Sequence, residues 1–424
     1  MTTNFAAYLD DQDLIRMEGG ESVMASLPFT LTSGSKTIEL LPTEEEKTLR
    51  SPLPIDMSQS YTLSNAKGET CLLHYRDIVR QPIFDQLYAY DGEDLGARYS
   101  KEKTTFAFWA PISQEVQLLI NQTAYPMERT EKGVWRLELE GDWEKASYYY
   151  QHQVNGVTHI VHDPYALSSE ANSGASYVID RHKIERPIQR ATTQLDPTQA
   201  IIYELSVRDF SMQKEAGFQH PGTFPALLES PKHGDQTFGF DYLKSLGITH
   251  VQLMPLYDFG SVDETNPTAG YNWGYDPVQY NVPEGSFSSQ PNDPYQRILE
   301  LQQVIDAYHE ADLSLIMDVV YNHVYLSDEF AFERIVPGYF YRYDQDRQRT
   351  NGTFCGNDVA SERAMVRNYI KQSVKQWVQL YGFDGFRFDL MGILDRQIMM
   401  EIQEELGAIY PNIYLYGEGW KMDT

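Results

Sequence analysis

Apolar and polar residues follow one rhythm in the first part of the chain and another after about residue 198. In the early part they alternate with period two. In VWRLELEGDW (134–143), Trp135, Leu137 and Leu139 point one way and Arg136, Glu138 and Glu140 the other. TTFAFWAP (104–111) and VQLLI (116–120) read as further strands. SYYYQHQVNG (147–156) ends on Asn155-Gly156, a type I′ hairpin signal. Segment 84–180 is therefore expected to be an antiparallel β-sandwich. Its aromatics would fill the core or form a sugar platform, and alternation places Trp135 on the buried face. Segment 1–83 has only short apolar stretches broken by Pro, Ser and charge, and is expected to be a small β domain with no chemical motif.

From about residue 190 to 424, strands and helices take turns. AIIYELSV (200–207), ITHVQLMP (248–255), LSLIMDVV (313–320), FDGFRFD (383–389) and NIYLYGE (412–418) read as strands. The third is apolar almost throughout, as in a strand covered on both faces. Between them, FDYLKSLG (240–247) reads as a short helix closing on glycine. A second helix, opened by Asn292-Asp293-Pro294, carries Ile298, Leu301, Ile305 and Tyr308 on one stripe. A third carries Ile370, Val374, Trp377 and Val378, and a fourth covers about 394–408. Segment 321–360 has little regular pattern and is expected to be a loop subdomain. No Gly-rich loop follows the first strand, so a (β/α)8 TIM barrel, cut after about five strands, is favoured over a doubly wound sheet. The fold class is thus multidomain: β domains followed by an incomplete barrel.

Charge narrows the partners. Sixty-one acidic residues against 34 basic give a net charge of -27, which repels a polyphosphate and leaves a neutral ligand unaffected. The N-terminus has neither a basic n-region nor an apolar h-region, and no run of 18 apolar residues occurs. Neither nucleic acid nor membrane is expected, and the location is expected to be cytoplasmic. Cys71 and Cys355 fall in different segments, which suits two reduced thiols rather than a disulfide or a zinc site.

The candidate chemistry gathers at strand ends, where barrels keep their active sites. Asp318, His323, Arg387, Asp389 and Glu418 all fall there. A single acid after a strand is as well explained as a helix N-cap, so the set carries more than its members. Arg387 lies on the same strand face as Asp389 and would keep that carboxylate ionised and oriented, as a nucleophile requires. Glu418 stands between Gly417 and Gly419 with Trp420 close by; the glycines would admit substrate and the indole would form an apolar wall suited to a proton donor. An ordinary strand-end acid is the plainer alternative. Twenty-nine positions separate the two acids, about one strand–helix–strand repeat. Paired carboxyls on neighbouring strands are the minimum for breaking a glycosidic bond. Asn322 and His323 could brace a loop or meet a sugar hydroxyl, and their spacing does not suit a metal. In YNWGYDP (271–277), Tyr275 would stack on a pyranose with Asp276 fixing its orientation, or would simply anchor the loop.

These residues resemble glycoside hydrolase family 13, the α-amylase superfamily. DVVYNHV (318–324), GFRFDLMG (385–392) and YGEGW (416–420) resemble three of its signature regions, and YNWGYDP resembles the signature of type I pullulanases. GNDVASER (356–363) and PGYFYRYD (337–344) are similar to the cytosolic bacterial branch of that group. Segment 84–180, with FAFWAP and DPYA, resembles carbohydrate-binding module family 48. The resemblance implies an enzyme that hydrolyses α-1,6 bonds in pullulan and branched α-glucans with retention. Asp389 would be the nucleophile and Glu418 the general acid/base. Arg387, His323, Tyr275 and Trp420 would meet the sugar, and Asp318 and Asn322 would support the site. It implies no cofactor; calcium would be the one candidate, and no spacing in the sequence supports it. The family's fourth signature region, with a third acid from a later strand, is absent, so the chain is expected to be an N-terminal fragment, inactive or nearly so on its own. Another member of the superfamily, such as isoamylase, a branching enzyme or a neopullulanase, is the nearest rival. A non-catalytic α-glucan-binding protein is the rival from a different class.

Overall fold

A computed structural model describes residues 5–20, 23–192 and 197–422. Residues 5–75 form seven strands closed into a barrel. Phe5–Leu9 pairs antiparallel with Leu14–Gly19 and parallel with Thr70–Tyr75, which completes the ring. Phe5, Ala7, Leu9, Ile15, Met17, Phe29 and Leu31 are all buried, so alternate residues fill the interior, and closure leaves no strand edge open. A boundary at 83/84 is corrected: it falls inside the helix Pro82–Tyr88. Pro82 opens that helix, where its missing N–H costs nothing. Phe84 leaves the small barrel to meet Trp109 and Tyr339 with ring centroids 6.5 and 5.4 Å away.

Two antiparallel sheets follow between Gly96 and Tyr177. Lys103–Trp109 and Val134–Glu140 lie in one, Glu115–Ile120 and Ser147–Val154 in the other. Phe106, Phe108, Tyr148 and Tyr150 are buried, and Phe108 stacks on Tyr150 across the sheets at 4.2 Å. Trp135 belongs to this core; its indole N–H donates to the Ala110 carbonyl at 3.0 Å. Asn155 and Gly156 both have positive φ (51° and 76°), as the tight turn between Ser147–Val154 and Val157–Val161 requires.

The remaining strands, Ile202–Leu205, His250–Leu253, Ser314–Val319, Gly385–Phe388 and Tyr414–Gly417, form one parallel sheet in chain order. Helices Gly239–Ser245, Gln296–Glu310, Ala364–Gln376 and Arg396–Ile409 fall between successive strands. In a flat sheet the second and fifth strands would lie ~14 Å apart, three spacings of ~4.8 Å. Instead the Tyr416 hydroxyl reaches Gln252 Oε1 at 2.5 Å, and the Tyr414 and His250 rings are 5.6 Å apart. The sheet is therefore strongly curled. Leu315–Val319 is wholly buried, in line with its apolar sequence.

Two details differ from the sequence pattern. The helix expected to open at Asn292-Asp293-Pro294 begins regularly at Gln296, because Asp293 Oδ1 accepts from the backbone N–H of Tyr295 and Gln296 (2.8 and 3.0 Å). Segment 321–360 holds a short helix, Ala331–Ile335, packed through Phe330, Phe332 and Phe340. Five residues are too few to show a helical period. Among the described residues no helix is long and apolar enough to cross a membrane, and Cys71 and Cys355 are free.

Candidate active site

Strand register builds the site. Asp318 stands directly opposite Arg387, so the two side chains rise on one face. Asp389 lies two residues beyond Arg387, on that same face. Gly417 pairs with Phe388, which brings Glu418, the next residue, beside Asp389. The Glu418 N–H continues the ladder onto the Phe388 carbonyl at 3.1 Å.

One guanidinium then gathers three carboxyls. Arg387 Nη1 donates to Asp318 Oδ1 (2.9 Å) and to Asp389 Oδ1 (2.9 Å), and Nη2 donates to Glu418 Oε1. Glu418 Oε2 accepts from the Leu390 N–H at 3.2 Å. Leu390 has φ +40°, a left-handed conformation that a branched side chain adopts only under constraint, and it aims that N–H at the acid. Asp318 is fully buried, and burial pushes its carboxyl up to about 7 against the pull of Arg387 and the Tyr275 hydroxyl. The side chains of Arg387, Asp389 and Glu418 keep 14%, 12% and 32% of their surface open, so the cluster opens to solvent mainly through Glu418.

A second tier holds the first. Asn322 Nδ2 donates to both the backbone oxygen and Oδ2 of Asp389 (2.7 and 2.9 Å). The ring nitrogens of His323 face Asn322 Oδ1 at 2.5 Å and the Tyr275 carbonyl at 2.8 Å, and burial drives its pKa down. The Tyr275 hydroxyl donates to Asp318 Oδ2 at 2.8 Å.

Several expectations change in detail. The resemblance places His323 at the sugar; its two ring nitrogens face the oxygens of Asn322 and Tyr275, and a neutral imidazole can donate to only one of them. Asp276 does not orient Tyr275: its carboxylate binds Asn272 Nδ2 (2.8 Å) and the Ser261 hydroxyl (3.4 Å), fastening the loop instead. Trp420 is 66% exposed, so its indole lies largely in solvent. Gly417 serves packing rather than substrate approach, since a Cβ there would lie 2.5 Å from the Phe388 oxygen.

Sequence reasoning missed a layer below the acids. Tyr416 donates to Gln252, whose Nε2 donates to Glu204 Oε2 at 2.6 Å, tying the first, second and fifth strands together. Period-two polarity in strands otherwise read as buried was the available signal. It also missed the one group of three side chains that could hold a metal among the described residues: Asp258, Glu264 and Glu284, all buried. Five of their six oxygens already accept hydrogen bonds. Gln279 Nε2 takes one of Asp258; the Gly285 N–H and Arg297 Nη2 take both of Glu264; the Ser286 and Phe259 N–H groups take both of Glu284. Such a set suits a protein scaffold better than a cation.

Comparison with known proteins bears on the chain as a whole. Residues 94–166 match carbohydrate-binding module 48 (isoamylase N-terminal domain), and residues 237–348 match the α-amylase catalytic domain. The pullulanase of Bacillus subtilis (strain 168) is 35% identical over 99% of this chain, and chloroplastic pullulanase 1 of Arabidopsis thaliana is 31% identical over 80%. The chain spans 61% and 41% of those two relatives. The crystal structure of pullulanase complexed with maltotetraose from Anoxybacillus sp. LM18-11 superposes with a TM-score of 0.94 at 39% identity, covering 99% of this chain and 62% of that one. The Paenibacillus barengoltzii pullulanase in complex with maltohexaose and α-cyclodextrin gives 0.79 at 42% identity, covering 82% and 56%.

Proposed function

We propose, for a chain that belongs to the α-amylase family by its two matched domains and its pullulanase relatives, that Asp389 and Glu418 are the acid pair of a retaining debranching glycosidase. The substrate would be an α-1,6 linkage in pullulan or a branched α-glucan. The curled five-stranded sheet would be part of a (β/α)8 barrel, with the site at its C-terminal strand ends.

The observation that carries this reading is the single guanidinium between the two acids. Arg387 holds Asp389 with one terminal nitrogen and Glu418 with the other. That favours the ~5–5.5 Å carboxyl separation of retaining enzymes over the wider gap of inverting ones. Asp389 Oδ2, braced by Asn322, keeps its carboxylate rigid for attack on the anomeric carbon. Glu418 gives its proton to the bridging oxygen as that C–O bond breaks. Arg387 engages Oε1 and the Leu390 N–H engages Oε2, so the oxygen that carries the proton must turn from its protein donor to the bridging oxygen while the other can go on accepting. In the second half, water loses its proton to Glu418, bonds the anomeric carbon and frees Asp389. Asp318 and Tyr275 hold Arg387 in place from behind.

Reducing-end release from pullulan set against amylose tests the linkage. Assays belong on a protein of the relatives' length; the 424-residue chain alone is expected to turn over little or no pullulan. In the longer protein Asp389→Asn should lower turnover by ~10³-fold or more while glucan affinity stays within a few-fold. A loss of only a few-fold would refute the nucleophile assignment. The absence of cofactor, nucleic acid and membrane partners, and a cytoplasmic location, remain part of this proposal.

A further inference from the structure

The layer below the acids is a chain of hydrogen bonds with a fixed direction. Gln252 is 5% exposed, so both ends of its amide need a partner. Its Nε2 donates to Glu204 Oε2 at 2.6 Å, and its Oε1 accepts from the Tyr416 hydroxyl at 2.5 Å. An ionised carboxylate accepts and cannot donate. Glu204 therefore decides which way the amide faces, and the amide in turn obliges Tyr416 to donate. Strand register builds the first link, since Glu204 stands directly opposite Gln252. The anchor is firm: Val251, Gln252 and Leu253 are all buried, although Glu204 itself is open to solvent.

The far end of the chain lies at the candidate active site. Tyr416 stands directly opposite Arg387, the guanidinium between the two acids. It also precedes Glu418 by two residues, on the strand face that Glu418 continues. Asp318 lies within electrostatic reach of the Tyr416 hydroxyl. Commitment of that hydroxyl to Gln252 keeps it from competing with Arg387 for Asp318. Small shifts matter at such a place, because misplacing a reacting group by ~1 Å can cost ~10²-fold in rate.

We propose that Gln252 and Glu204 are positioning residues for the acid pair, holding Arg387 and Glu418 in place through Tyr416. The inference rests on the glycosidase reading of the proposed function. Variants in a protein of the relatives' length, compared on pullulan per folded molecule, test it. Tyr416→Phe removes one hydroxyl and should lower kcat ~3–10-fold with KM kept within a factor of ~2, whereas a merely structural role would cost folded molecules and not their turnover. Gln252→Glu sets a carboxylate against Glu204 and should lower kcat ~10-fold or more. Adding Glu204→Gln to it rebuilds the chain with the two groups exchanged: the amide donates to the carboxylate, which still accepts from Tyr416. The kcat of this double variant should return to within ~3-fold of the wild type. Wild-type turnover in both Tyr416→Phe and Gln252→Glu would overturn the proposal, and so would a double variant no faster than Gln252→Glu. Asp389→Asn measured alongside separates the two ideas. Turnover kept in Asp389→Asn would overturn the glycosidase reading and the positioning role with it; turnover lost there but kept in the Tyr416 and Gln252 variants would overturn the positioning role alone.

Discussion

The molecule contains two groups of three carboxyls around one arginine, and they are built to opposite ends. Around Arg387, the guanidinium touches all three acids, and Glu418 among them is open to solvent. Around Arg297, the guanidinium touches Glu264 alone at 3.1 Å, its remaining bonds go to the Pro283 and Pro291 carbonyls, and every member is buried. Burial and the neighbouring acids push Glu284 up to about 8 and Asp258 well above the usual carboxylate range. Asp258 faces Glu264, which can accept the proton that Asp258 keeps. The same residue types thus give a charged, solvent-facing cluster in one place and a proton-holding brace in the other. Access to water and the number of bonds from the arginine make the difference.

Replacing each arginine separates the two roles most sharply. Arg387→Met should cost turnover ~10²–10³-fold or more, as for loss of a preorganised electrostatic contact, with a smaller fall in melting temperature than Arg297→Met, because buried Asp318 keeps its bond from the Tyr275 hydroxyl. Arg297→Met should do the reverse: turnover per folded molecule is kept and ~3–5 kcal/mol of stability is lost, because Glu264 is left buried and unpaired. Equal thermal losses in both variants would erase the distinction.

The buried brace also predicts a pH dependence. Glu284 and Asp258 hold protons in the fold that the unfolded chain releases at ordinary carboxylate values. Their contribution is therefore complete at low pH and is lost as pH rises from that range towards about 8. The slope should approach ~1.4 kcal/mol per pH unit for each proton held. Glu284→Gln cannot ionise and should reduce the slope by one proton's share, leaving the contributions of Asp258 and of Asp318, whose carboxyl burial raises to about 7. Urea denaturation at pH 5 and pH 8 measures this; an unchanged slope would mean that Glu284 is ionised in the fold.

Tyr275→Phe gives the smallest effect. It removes one hydroxyl bond to the buried Asp318 and should cost ~1 kcal/mol of stability. Turnover should fall far less than in Asp389→Asn.

The two clusters were unequally legible in the sequence. Asp318, Arg387, Asp389 and Glu418 each end or follow a short apolar strand, so the strand pattern alone brings them to one edge of a parallel sheet. Asp258, Glu264 and Glu284 come from an irregular loop, where no periodicity says that residues six and twenty apart will meet. The N-terminal barrel was hidden for a related reason: it closes by pairing Phe5–Leu9 with Thr70–Tyr75, a contact that local alternation does not encode. Tyr275 was legible as a site residue, but its partner was not. The chain neighbour Asp276 was expected to orient it, whereas a strand-end acid 43 residues away does.

The central claim is that Arg387 holds Asp389 and Glu418 as a retaining pair, and the configuration of the first product tests it directly. Proton NMR of pullulan hydrolysis by a protein of the relatives' length, read before mutarotation, should show new reducing ends in the α form. Ends that first appear as the β anomer would contradict it.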